Sequence, residues 1–119
     1  MHVLIAEDQP QLAAAMARRL RREGMTIDLA ADWAMALALV SGTDYDVLIV
    51  DGDVPGVRLD LIRQRLQERR SAAAILVLAD PPAPVAGRVP EEGVGADAHL
   101  PKPFAWDALA ARVRALGGT

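Results

Sequence analysis

The chain has no cysteine, so neither a disulfide nor a thiolate metal site can hold its fold. It also has no excess of basic residues, since the net charge is −3 and the pI is about 5.3. A chain of this charge offers no domain-wide basic surface to nucleic acid. No apolar run is long enough to cross a bilayer, and the N-terminus meets Glu7 without a basic leader. These absences predict a cytoplasmic protein that contacts neither DNA nor membrane directly.

Lysine is almost absent as well. Lys102 is the only lysine among 13 lysine and arginine residues, and a proline stands on each side of it. Lysine carries a compact charge on a flexible stem, whereas arginine presents a planar fork. A sequence that otherwise uses arginine therefore indicates a specific need for a point charge at position 102. The flanking prolines limit where that side chain can start.

The residues that are present predict one α/β domain over all 119 positions. Branched apolar residues from Val47 to Val50 are typical of a strand buried on both faces, as in parallel sheets. Shorter apolar runs alternate with amphipathic segments that predict helices. Predicted strands cover 2–6, 25–30, 47–51, 74–79 and 98–100, and predicted helices cover 10–23, 33–40, 59–70, 85–89 and 106–116. Prolines make the fourth helix short or irregular. This alternation predicts an open parallel sheet with helices on both faces.

Charged residues follow three of the predicted strands. Glu7 and Asp8 end the first strand, Asp51 and Asp53 end the third, and Lys102 follows the fifth. In open α/β sheets the functional groups gather beyond the carboxyl ends of the strands, so these residues should meet in one crevice. Several carboxylates need a compensating cation, and oxygen ligands alone suit Mg²⁺. Asp51 is then a candidate nucleophile toward phosphorus.

Four segments together resemble the receiver domain of two-component response regulators. They are Val3-Leu4-Ile5-Ala6-Glu7-Asp8, Asp51 with Pro55-Gly56, Gly95-Ala96-Asp97, and Leu100-Pro101-Lys102-Pro103-Phe104, and the ending 111–116 is similar to the winged-helix (OmpR/PhoB-like) subfamily. The resemblance implies a flavodoxin-like doubly wound sheet in the order 2-1-3-4-5 with five helices. It also implies a receiver domain over residues 1–119 that forms the N-terminal fragment of a longer regulator.

The resemblance assigns roles residue by residue. Asp51 would accept a phosphoryl group from a sensor histidine kinase, and Lys102 would contact the phosphoryl oxygens. Asp8, Asp51 and the backbone carbonyl of Asp53 would bind Mg²⁺, with Glu7 acting through water. The bond between Lys102 and Pro103 would be cis. The domain would catalyse its own phosphorylation rather than turn over a substrate repeatedly. It would control a DNA-binding transcriptional output domain outside this chain, and it would be able to form a homodimer.

The chain also departs from the family at its switch positions. The family carries Ser or Thr at the end of the fourth strand, where this chain has Ala79, and the aromatic position of the fifth strand is His99. A glycine usually found after the Pro-Gly turn is missing near Arg58 and Leu59. These departures leave open a pseudo-receiver controlled by a ligand or a protein partner. A third hypothesis takes Asp51-Gly52-Asp53 as the Asp-x-Asp motif of haloacid-dehalogenase-type phosphohydrolases, with Asp53 as acid/base.

Overall fold

A computed structural model of the chain describes residues 1–54, 58–79 and 97–118. Its strands are β1 (His2–Ala6), β2 (Thr26–Ala30), β3 (Val47–Asp51), β4 (Ala74–Ala79) and β5 (Ala98–Pro101). The helices within the described ranges are α1 (Pro10–Arg21), α2 (Trp33–Gly42), α3 (Leu59–Glu68) and α4 (Trp106–Leu116). The short helix predicted over 85–89 lies outside the described residues, as does the Pro-Gly turn at 55–56.

The five strands form one parallel sheet in the order β2-β1-β3-β4-β5. This order confirms the prediction. All five residues of β3 are buried, because β3 lies at the centre of the sheet between β1 and β4. β2 lies at an edge, and its exposed positions are the reason that its sequence alternates between apolar and polar residues.

Helices cover both faces of the sheet, so the domain has two apolar layers. Val47 and Ile49 join a buried cluster with residues of α1 and α4, whereas Leu48 and Val50 join a second cluster with residues of α2 and α3. Successive side chains of a strand point to opposite faces. The continuous apolar run of β3 therefore serves both clusters and fixes Asp51 at the carboxyl edge of the sheet.

The start of α2 is capped by Asp32, whose Oδ1 accepts a hydrogen bond from Met35 N at 2.8 Å. Trp33, Ala36 and Val40 are the buried residues of this helix, whereas the Met35 side chain is half exposed. Within the described ranges, no helix combines the length and apolar character needed to cross a bilayer.

Hydrogen bonds of Asp97 connect the start of β5 to the start of β4. Its N–H donates to Ile75 O at 2.9 Å, and its Oδ2 accepts from Ile75 N at 2.7 Å and from Arg63 Nη2 at 2.8 Å. Burial acts to raise the pKa of Asp97, but the hydrogen bonds from Arg63 and Ile75 outweigh it and hold that pKa below the ordinary value.

We expect Asp97→Ala to lower the free energy of unfolding by about 1–2 kcal/mol at pH 7, because Ile75 N loses its acceptor. The pKa of Asp97 is lower in the folded protein than in the unfolded chain, where it is about 3.9, so the ionised carboxylate stabilises the folded protein at a pH above about 3.9. This stabilisation is lost as the pH falls through the pKa of Asp97 in the folded protein. Urea unfolding at pH 7 and pH 3 measures the difference, with the exposed Asp60→Ala as control. An equal loss at both pH values would contradict the ion-pair account.

Candidate functional site

The two acids that follow β1 have different environments. Glu7 is 2% exposed, whereas Asp8 is exposed. The backbone holds Glu7 on both sides, since Glu7 N donates to Ala30 O at 3.0 Å and Gln9 N donates to Glu7 Oε1 at 3.0 Å. The second oxygen, Oε2, is buried and has no hydrogen-bond partner among the described residues. The Oε2 atom of Glu7 is therefore a buried oxygen that can contact a further group.

Asp51 ends β3 and is 1% exposed. Its Oδ1 accepts from Asp53 N at 2.8 Å, and its Oδ2 accepts from Lys102 Nζ at 2.6 Å. Gly52 lies so close to β4 that its N–H donates to Leu78 O at 2.7 Å, and an added Cβ would lie 3.3 Å from that oxygen. The chain thus leaves β3 in a tight turn that keeps the Asp51 carboxylate at the end of the sheet.

Lys102 reaches Asp51 from the loop that follows β5. Its N–H donates to Ala79 O at 3.0 Å, and the bond between Lys102 and Pro103 is cis, as the resemblance implied. The ammonium contacts two acids, Asp51 Oδ2 at 2.6 Å and Asp53 Oδ2 at 3.2 Å. Lys102 and the turn that carries Asp51 and Asp53, which are far apart in sequence, therefore meet at one point.

Charge in the crevice is divided unequally between Glu7 and Asp51. Burial, together with the neighbouring Asp51, raises the pKa of Glu7 to about 8. Burial also acts to raise the pKa of Asp51, but Glu7, the Lys102 ammonium and the Asp53 N–H outweigh it and hold that pKa below its ordinary value. The two shifts run in opposite directions, so without a bound cation the site favours the proton on Glu7 and the negative charge on Asp51. An ionised, buried carboxylate is available as a nucleophile.

The donors around Asp51 suit a hard cation. They are the carboxylate oxygens of Glu7 and Asp51, and Glu7 Oε2 has no hydrogen-bond partner among the described residues. In residues 1–54, 58–79 and 97–118, no three acidic or histidine side chains converge closely enough to form a complete metal cage. The unpartnered oxygen of Glu7 beside Asp51 is compatible with a hard cation such as Mg²⁺, which retains several waters and takes few protein ligands.

The two positions at which the chain departs from the family lie on β4 and β5. Ala79 ends β4 half-buried and has no hydroxyl, and His99 on β5 is exposed. Beyond Lys102, the rings of Phe104 and Trp106 meet edge to face with centroids 5.7 Å apart. An exposed tryptophan four residues from Lys102 is well placed to report on changes at the site.

Two features of the site were missed by sequence reasoning. The side chain of Asp53 is 63% exposed, and it also contacts the ammonium of Lys102. Glu7 is buried and Asp8 is exposed, a difference that strand alternation does not indicate, because both faces of β1 are buried.

The fold and site together define a doubly wound domain with an acid crevice at its carboxyl edge. The family model for the response regulator receiver domain matches residues 3–114. The chain belongs to this family and is the receiver domain of a two-component response regulator. The match favours neither the pseudo-receiver nor the phosphohydrolase hypothesis.

The curated proteins that match this chain are longer than the chain itself. It is 44% identical over 117 residues to the transcriptional regulatory protein CutR of Streptomyces coelicolor, covering 98% of this chain and 54% of CutR. It is 40% identical over 116 residues to the transcriptional regulatory protein TcrA of Mycobacterium tuberculosis, covering 98% of this chain and 46% of TcrA. The chain thus spans about half the length of these curated relatives.

Solved structures share the fold over almost the whole chain. The response regulator TrrA from Thermotoga maritima, in complex with Mg²⁺ and BeF, superposes with a TM-score of 0.76 at 26% identity and covers 97% of both chains. The chemotaxis response regulator CheY4 of Vibrio cholerae gives a TM-score of 0.79 at 25% identity, also over 97% of both chains.

Proposed function

We propose that this receiver domain accepts a phosphoryl group on Asp51 from a sensor histidine kinase and thereby controls a DNA-binding output domain. The observation that carries the proposal is the buried Asp51 carboxyl group, whose Oδ2 lies 2.6 Å from Nζ of the only lysine of the chain. A carboxylate oxygen of Asp51 would form the O–P bond as the P–N bond to the kinase histidine breaks. The leaving imidazole would keep the electron pair and take up a proton.

The side chains around Asp51 would divide the remaining work. Lys102 would follow the negative charge from the Asp51 carboxylate to the phosphoryl oxygens. Asp8, Asp51 and the Asp53 carbonyl would hold Mg²⁺, with Glu7 acting through water. Bound Mg²⁺ would neutralise charge on the phosphoryl oxygens. TrrA, whose structure contains Mg²⁺ and BeF, supports this assignment by its similarity to the chain.

The output and location of the protein are part of the proposal. The relatives that are twice as long are named transcriptional regulators, which supports a DNA-binding domain as the output. A histidine kinase as phosphodonor and a cysteine-free sequence are compatible with the cytoplasm. The end of β4 carries Ala79, so a signal from phosphorylated Asp51 would pass through groups other than a hydroxyl at that position.

Fluorescence of Trp106 tests the proposal. The chain has two tryptophans, and Trp33 is buried between α2 and the sheet, so Trp33→Phe would leave Trp106 as the only reporter. We expect a saturable response when Mg²⁺ and then beryllofluoride, a phosphoryl mimic, are added. The same titration on Asp51→Asn should give no beryllofluoride response. An equal response from both proteins would reject Asp51 as the acceptor.

A further inference from the structure

We propose that the side chain of Asp53 restrains phosphoryl binding at Asp51 by competing for the ammonium of Lys102. This inference rests on the proposed function and adds a regulating group to the same site. The resemblance to receiver domains gave Asp53 a role through its backbone carbonyl. The structure adds a side-chain contact, since Lys102 Nζ lies 3.2 Å from Asp53 Oδ2 and 2.6 Å from Asp51 Oδ2.

The two carboxylates that contact the Lys102 ammonium, those of Asp51 and Asp53, differ in their exposure to solvent. Asp51 is buried and Lys102 is 18% exposed along its side chain, whereas the Asp53 side chain is 63% exposed. Asp53 therefore lies on the solvent side of the Lys102 ammonium, whereas Asp51 lies on its buried side. Lys102 is the only lysine, so no second ammonium is available to serve both groups.

A phosphoryl group on Asp51 changes this competition. The group adds negative charge next to Lys102, and the ammonium must turn toward the phosphoryl oxygens to stabilise them. The carboxylate of Asp53 opposes that movement through its own ion pair and repels the incoming anion. Because Asp53 is well exposed, solvent screens its effect, and the restraint amounts to a modest factor rather than a block.

Asp53→Asn isolates the side chain because asparagine keeps the backbone N–H to Asp51 and the backbone carbonyl. In saturating Mg²⁺, we expect this variant to reach half-saturation at a roughly threefold to tenfold lower beryllofluoride concentration than the unmodified chain. Asp53→Glu, which retains a carboxylate, should move back toward the unmodified value. The matched control is Asp44→Asn, which removes the same charge at a residue that precedes β3, at the end of the strand opposite to Asp51.

The single lysine provides a second, direct measurement. Its Cε–Hε resonance in an NMR spectrum should move at a lower beryllofluoride concentration in Asp53→Asn than in the unmodified chain, which an effect on folding alone would not produce. A half-saturation point that is unchanged or higher in Asp53→Asn, in a protein that still binds beryllofluoride through Asp51, would overturn the proposal. Binding that survives in Asp51→Asn would instead overturn the proposed function.

Discussion

Asp51→Asn should abolish the uptake of a phosphoryl group from a small phosphodonor, with a decrease in rate of at least about 100-fold. The amide has no ionised oxygen to attack phosphorus, although its carbonyl can still accept the hydrogen bond that Asp53 N now gives to Asp51 Oδ1. The local fold should therefore survive the substitution. The loss of function would then belong to the chemistry of residue 51.

Intact mass after incubation with acetyl phosphate and Mg²⁺ measures this prediction. The unmodified chain should gain the mass of one phosphoryl group, and Asp51→Asn should gain none. Asp44→Asn, at the opposite end of the sheet, serves as the matched control and should behave like the unmodified chain. Equal phosphoryl incorporation in Asp51→Asn would show that another residue is the acceptor.

Glu7→Gln should stabilise the protein in the absence of divalent cations, with the largest effect above pH 8. Burial and Asp51 raise the pKa of Glu7 to about 8. The folded protein keeps a proton on Glu7 up to about pH 8, whereas the unfolded chain releases this proton near pH 4.5. The folded protein therefore loses stability as the pH rises from about 4.5 to about 8. Glutamine needs no proton and can still accept the hydrogen bond from Gln9 N.

The expected gain at pH 8.5 is on the order of 2–3 kcal/mol, or a melting temperature higher by about 10 °C. At pH 4 the two proteins should differ little. Thermal melts in EDTA measure the difference, with the exposed Glu68→Gln as a control for the same chemical change. Mg²⁺ should raise the melting temperature of the unmodified chain more than that of Glu7→Gln. A variant that is less stable than the unmodified chain at pH 8.5 in EDTA would contradict the account.

The sequence predicted the sheet because its strongest signals are local. The apolar run from Val47 to Val50 needs burial on both faces, and parallel topology then places Asp51 at the carboxyl edge. Lys102 was identified by its rarity and its flanking prolines. These signals depend on composition and order along the chain, so they survive without knowledge of the side-chain conformations.

Other features depend on geometry that a pattern does not encode. Helix α2 has no charged residue, so its sequence does not distinguish the exposed Met35 from the buried Trp33. The contact between Asp53 and Lys102 depends on the direction of a loop side chain. The orphan oxygen of Glu7 follows from the placement of its backbone partners, Ala30 and Gln9.

Mapping the acyl phosphate is the most direct test of the central claim. Borohydride reduces an aspartyl phosphate to homoserine, which tandem mass spectrometry locates in the sequence. After treatment with acetyl phosphate and Mg²⁺, the account predicts homoserine at position 51 and nowhere else. Homoserine at position 53, or a phosphorylated His99 with Asp51 unchanged, would contradict it.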